Sequence, residues 1–171
     1  MMAYERHEIL LPVKPGFIAL TLAGALVINL LPWSGVWLVL RPDLVALTLL
    51  YWCVHEPRRI GFAVAFILGL MMDTADASLF GQHALSYSVL AYAGIVLHRR
   101  VQGFSGRNQM LHVIALLLVN DVIVLFIHVL AGSGFPGYSY FTGSLIAGAL
   151  WPLMCAILRL PQLPKPDPTH V

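Results

Sequence analysis

Residues 111–131 read LHVIALLLVNDVIVLFIHVLA, a 21-residue apolar run interrupted near its middle by Asn120 and Asp121. At 1.5 Å per residue such a run covers about 30 Å, the thickness of a bilayer's hydrocarbon core. Reading it as a membrane span sets the reading of the rest. The chain has 171 residues, 59% apolar and 11% charged, with a mean hydropathy of +0.82. A soluble domain carries roughly 25% charged residues. Soluble globular, disordered, fibrous and nucleic-acid-binding classes therefore fit poorly, and the composition is that of a polytopic membrane protein. The length suits one compact unit. Cys53 and Cys155 lie inside apolar runs and read as buried free thiols, not as a disulfide framework.

Working outward, further apolar runs flank this one. Residues 17–40 carry no charge, but Pro32 interrupts them, so a helix is expected to about residue 31, followed by a kink or an interfacial stretch with Trp33 and Trp37 in the aromatic belt. Residues 44–54 and 60–72 are apolar and separated by Glu56-Pro57-Arg58-Arg59. Each is short for a span, so either polar end residues lengthen both helices or protein shields the pair. Residues 73–81 are turn-like, 84–97 are apolar, and a loop is expected from His98-Arg99-Arg100 to Gln109. Residues 132–140 are rich in glycine and aromatics, and 141–158 form a last apolar run ending at Arg159. The sequence thus predicts an all-α six-helix transmembrane bundle with spans at about 17–40, 43–55, 58–73, 82–97, 111–131 and 141–160. A polar tail, 1–16, precedes them; its two acids and the lack of a small-residue cleavage site argue against a cleaved signal peptide. The proline-rich tail 161–171 is expected to be non-helical and disordered.

Charge sets the orientation. With six spans and the N-terminus inside, the inner segments hold Arg6, Lys14, Arg58, Arg59, Arg99, Arg100, Arg107, Arg159 and Lys165, and the outer ones only Arg41. This asymmetry places both termini in the cytoplasm.

The residues that could carry a function are few. Gly61, Ala65 and Gly69 recur every four residues, and Gly143 with Ala147 and Ser144 with Gly148 do the same in the last span. Small residues let helices approach closely. The ordinary reading is contact within one bundle, and the sharper one is a docking face for a partner's helix. Asp121 lies mid-span with His128 two turns along on the same face. An ionisable group at that depth is a functional hypothesis, here a proton relay, against the plainer reading of a structural group bonded to Asn120, a serine or a tyrosine. Asp73, Asp76 and His83 fall on the same expected side as Arg41, so a polar cluster is expected there, with Asp73 pairing Arg41. The spacing Asp-x-x-Asp-x6-His matches no metal signature, and no nucleophile elbow, zincin helix or phosphate loop is present. No catalytic, cofactor or metal site is expected.

Several stretches in order, Arg41-Pro42-Asp43-Leu44-Val45, Leu50-Tyr51-Trp52-Cys53, Gly69-Leu70-Met71-Met72-Asp73, Gly81-Gln82-His83-Ala84-Leu85 and Val119-Asn120-Asp121-Val122-Ile123, followed by Leu150-Trp151-Pro152, resemble the rod shape-determining MreD family over residues 17–160. The resemblance implies an inner-membrane component of the cell-elongation machinery for peptidoglycan synthesis. It implies membrane lipids and a bitopic MreC-like protein as partners and, through the latter, the MreB filament, RodA and a class B penicillin-binding protein. Self-association stays open, and no nucleic acid is involved. It also implies a fold similar to the substrate-binding subunits of energy-coupling-factor transporters. Family positions fall on Arg41, Pro42, Asp43, Gly69, Asp73, Gly81, His83, Ala84 and Leu85, as structural or partner-supporting residues. The rival reading is a small-molecule-binding transporter subunit, which would need convergent polar groups in an apolar cavity.

Overall fold

A helix that is apolar around its whole circumference belongs in an interior. Leu44–His55 is such a helix, and residues 45–54 are all buried. The computed structural model describes residues 13–36, 40–76 and 80–162. Among them every regular element is helical: α1 (Pro15–Asn29), α2 (Leu44–His55), α3 (Phe62–Ala75), α4 (Gln82–Gly103), α5 (Gly106–Leu130), α6 (Thr142–Ala149) and α7 (Trp151–Arg159), with 3₁₀ turns at Tyr138–Phe141 and Leu160–Gln162. Helix α2 is the hub, in contact with α1, α4, α6 and α7; α3 packs on α4, and α5 on α4 and α6. Its 12 residues span only about 18 Å. Its burial explains how so short an apolar helix is accommodated, because protein takes the place of lipid around it.

The exterior is as apolar as the interior. Leu20, Phe66, Ile67, Val119 and Phe126 are all exposed large hydrophobics on helix surfaces. In water such a surface would aggregate, whereas a bilayer is a matching solvent. Polar side chains are instead found inside, among them Asn29, Thr48, Asp73, Asn120, Asp121 and Ser144. Helix α5, 25 residues long, is by itself long and apolar enough to cross a membrane; α6 and α7 with their 3₁₀ turns do so together, bent by 40°.

Three boundaries differ from the sequence reading. The expected loop at 98–109 is almost wholly helical, since α4 runs to Gly103 and α5 begins at Gly106. Hydropathy marks where lipid contact ends, and arginine, histidine and glutamine continue a helix beyond that point. The last apolar run is not one helix, because it breaks at Leu150 between α6 and α7. Pro152 causes the break, having no N–H for the carbonyl four residues back and a ring that clashes with it. Pro161 is also not outside helical structure, for it lies in the closing 3₁₀ turn. Helix α1 ends at Asn29, just before Pro32, and the indole of Trp33 donates to the Ile28 carbonyl at 3.1 Å. The expectations for Trp37 and for residues 1–12 and 163–171 lie outside the described residues. Cys53 and Cys155 are buried free thiols.

Candidate functional site

Hydrogen bonds gather the helix ends into two groups, one at each end of the bundle. At one, Arg59 donates to the Val13 carbonyl, Gln102 to that of Val54, and the Arg159 guanidinium lies 3.3 Å from His55 Nε2. The basic residues Arg58, Arg99, Arg100 and Arg107 sit beside these helix ends. At the other end three aspartates and Arg41 hold the helices together.

Asp43 caps α2, accepting from the Ala46 N–H at 2.9 Å. An aspartate there satisfies a helix-terminal N–H that has no partner within the helix. The same carboxyl accepts from Asn29 Nδ2 of α1 at 3.1 Å and from the Tyr87 hydroxyl of α4 at 2.7 Å. Asn29 Oδ1 in turn accepts from the Leu44 N–H at 3.3 Å. One side chain thereby ties three helices.

Asp73, at the C-terminal end of α3 and fully buried, performs the same service for α4 from outside that helix. It accepts from the N–H groups of Gly81 at 2.8 Å, His83 at 2.7 Å and Ala84 at 3.4 Å, and from His83 Nδ1 at 2.9 Å. Gly81 reaches this geometry with φ +97°, a left-handed conformation that a side chain would strain. The expected Arg41–Asp73 pair is thus replaced. Arg41 pairs with Asp76, 3.3 Å away, because Asp73 faces the α4 N-terminus while Asp76, at the C-cap of α3, faces the 41–43 loop. Pro42 lies in that loop, half-buried, and Leu85 faces outward.

The small residues divide. A Cβ on Gly69 would meet the backbone of α4, 2.5 Å from Ala84 N and His83 O, and Ala65 is fully buried on the same stripe. A Cβ on Gly61 would meet open space. In α6, a Cβ on Gly143 would lie 2.5 Å from the Arg41 carbonyl, and Ala147 is fully buried. The close approaches at Gly69 and Gly143 are therefore contacts inside the bundle, and both fall at the aspartate-rich end.

Behind this brace lies a polar cavity of about 120 Å³, lined by Asn29, Asp43, Asp76, His83, Asn120, Asp121 and Ser144 among others. Asn120 and Asp121 are buried, and the Ser144 side chain of α6 addresses the Asp121 carboxyl. His128 does not line this cavity; it lines a wider neighbouring groove of about 450 Å³. The Asp121–His128 pairing is accordingly not brought into one site.

Sequence reading missed Asn29 and Tyr87. Asn29 had a signal, being an amide isolated in an apolar run with no local role. Tyr87 had none, because a tyrosine in an apolar helix looks like packing until its hydroxyl is seen on Asp43.

Comparison with known proteins adds three findings. A family model described as rod shape-determining protein MreD matches residues 13–160. A rod shape-determining protein MreD of Haemophilus influenzae is 27% identical over 135 residues, covering 79% of this chain and 83% of that protein. No solved structure matches.

Proposed function

This chain belongs to the rod shape-determining protein MreD family, and from that premise we propose that it is a non-catalytic scaffold of the cell-elongation complex. Membership gives a membrane protein with a role in rod shape. The proposal adds the manner: a six-span bundle, of energy-coupling-factor-like architecture, with both termini in the cytoplasm, that docks a bitopic MreC-like protein. Through that protein it couples to the MreB filament, RodA and a class B penicillin-binding protein. Arg41, Pro42, Asp43, Gly69, Asp73, Gly81, His83 and Asp121 support the docking surface from within.

One observation carries the scaffold reading. Three acidic side chains at one end of the bundle are engaged with the protein's own helix ends and neighbours: Asp43 with three helices, Asp73 with the α4 N-terminus, Asp76 with Arg41. Groups so engaged stiffen one end of a bundle and leave little for chemistry on a substrate. Affinity purification of the tagged chain from its rod-shaped host tests the reading. The MreC-like protein is expected to co-purify, and cells depleted of the chain are expected to round up. Rounding without co-purification would remove the partner assignment; normal shape on depletion would remove the function. Orientation is tested with a single cysteine placed at Ser105 on a cysteine-free background. It is expected to resist an impermeant thiol reagent applied from the periplasm, and labelling would invert the topology. The polar cavity speaks for the second reading, a small-molecule-binding transporter subunit, which would show as substrate uptake lost on depletion.

A further inference from the structure

We propose that the bundle fits a bilayer thinner than average and gathers short-chain lipids along α3. The distance between its two polar ends carries this. Helix α2 has Asp43 at its N-cap and Glu56 at its C-cap, and the 12 residues between them span about 18 Å. Helix α3 returns over the same gap. Arg59 stands just before it, Asp76 caps its C-terminus, and its 14 residues span about 21 Å. The charged groups pair into two rows. Arg41 meets Asp76 at 3.3 Å at one end. Glu56 meets Arg59 at 3.3 Å at the other, where Arg59 also donates to the Val13 carbonyl. Two helices thus measure one gap independently, and it falls about 10 Å short of the ~30 Å hydrocarbon core of a typical bilayer.

Protein shields α2, but α3 is open to lipid. It packs on α4, and Phe62, Phe66, Ile67 and Met71 on its other side are exposed. Lipid chains therefore meet an apolar wall about 21 Å tall with a charged row at each end. A bilayer of average thickness would draw one of those rows into hydrocarbon, where charged groups are costly. The usual escapes are closed. Tilting only lowers the height that a helix covers. Snorkelling needs a free side chain, and Arg59 and Asp76 are each held in an ion pair. Sliding α3 along its axis would break both pairs. What remains is a thinner bilayer at this wall. The 25-residue α5 does not oppose it, because a helix longer than the core is thick fits by tilting.

The test places the purified full chain in bilayers of dimyristoleoyl, dioleoyl or dierucoyl phosphatidylcholine, which share a headgroup and lengthen in that order. Thermal unfolding is expected to give the highest Tm in the dimyristoleoyl lipid, several degrees above that in the dierucoyl lipid. In an equimolar mixture of these two, the lipid extracted around the chain with a styrene–maleic acid polymer is expected to be enriched about twofold in dimyristoleoyl chains. A paired variant locates the effect. Arg41→Leu with Asp76→Leu puts apolar side chains where one charged row stood, and the enrichment should fall by about half. A Tm that peaks in the dioleoyl or dierucoyl lipid, a Tm equal in all three, or extracted lipid of the bulk composition overturns the proposal. So does a folded variant with unchanged enrichment. Should the variant not fold, the two measurements on the unaltered chain decide.

Discussion

Replacing Asp43 with alanine strikes the junction of three helices, and its cost can be worked from the contacts. Losing an N-cap aspartate costs about 1 kcal/mol. The Tyr87 hydroxyl, fully buried and 2.7 Å from Asp43, is left without its acceptor, which costs about 1–3 kcal/mol. Asn29 loses the acceptor for its amide at 3.1 Å, a smaller loss beside the cavity. Asp43→Ala should therefore destabilise by about 2–5 kcal/mol, above a typical single substitution. Tyr87→Phe removes one donor and leaves the Asp43 carboxyl its bonds to Ala46 and Asn29, so it should cost about 1–2 kcal/mol. The double variant tells most. Once the carboxyl is gone, the hydroxyl is a buried orphan and removing it brings relief, so the two changes should fall short of additivity by about 2–5 kcal/mol. Denaturant titration of the four proteins in mixed micelles, with equal m-values, measures this. Additivity within about 0.5 kcal/mol would show that Asp43 and Tyr87 do not act on each other, and the three-helix junction would be refuted.

Arg41 should couple to Asp76 and not to Asp73. The pair is partly solvated, so a double-mutant cycle on unfolding should give about 0.5–1 kcal/mol, and a larger coupling to Asp73 would reverse the assignment. Gly69→Leu should abolish accumulation or assembly, since its side chain would enter the α4 backbone, whereas Gly61→Leu should accumulate normally in membranes. Equal levels of the two by immunoblot would contradict the close crossing. Asp121→Asn should accumulate better than Asp121→Leu, because the amide keeps polar partners for Asn120 and Ser144 while leucine leaves them unpaired at about 1–3 kcal/mol. If both accumulate fully but Asp121→Asn fails to restore rod shape, a titrating role takes precedence over a structural one.

Sequence alone was enough for the solvent and the element type. The run at 111–131 and the scarcity of charge demand lipid, and in lipid a backbone without strands must be helical. The resemblance in six short stretches was enough for the family. What it could not supply was which aspartate meets which donor. Asp73 and Asp76 are three residues apart, and the reading from sequence paired Arg41 with Asp73. The crossing of α3 and α4 at Gly69 turns Asp73 onto the α4 N-terminus and leaves Asp76 to Arg41. The cavity was equally out of reach, because its walls come from positions as far apart as Asn29 and Ser144. Periodicity reports the face a residue occupies on its own helix. The identity of the side chain opposite it is decided by how closely two helices cross and at what rotation, and those are set by small residues whose neighbours are distant in the chain.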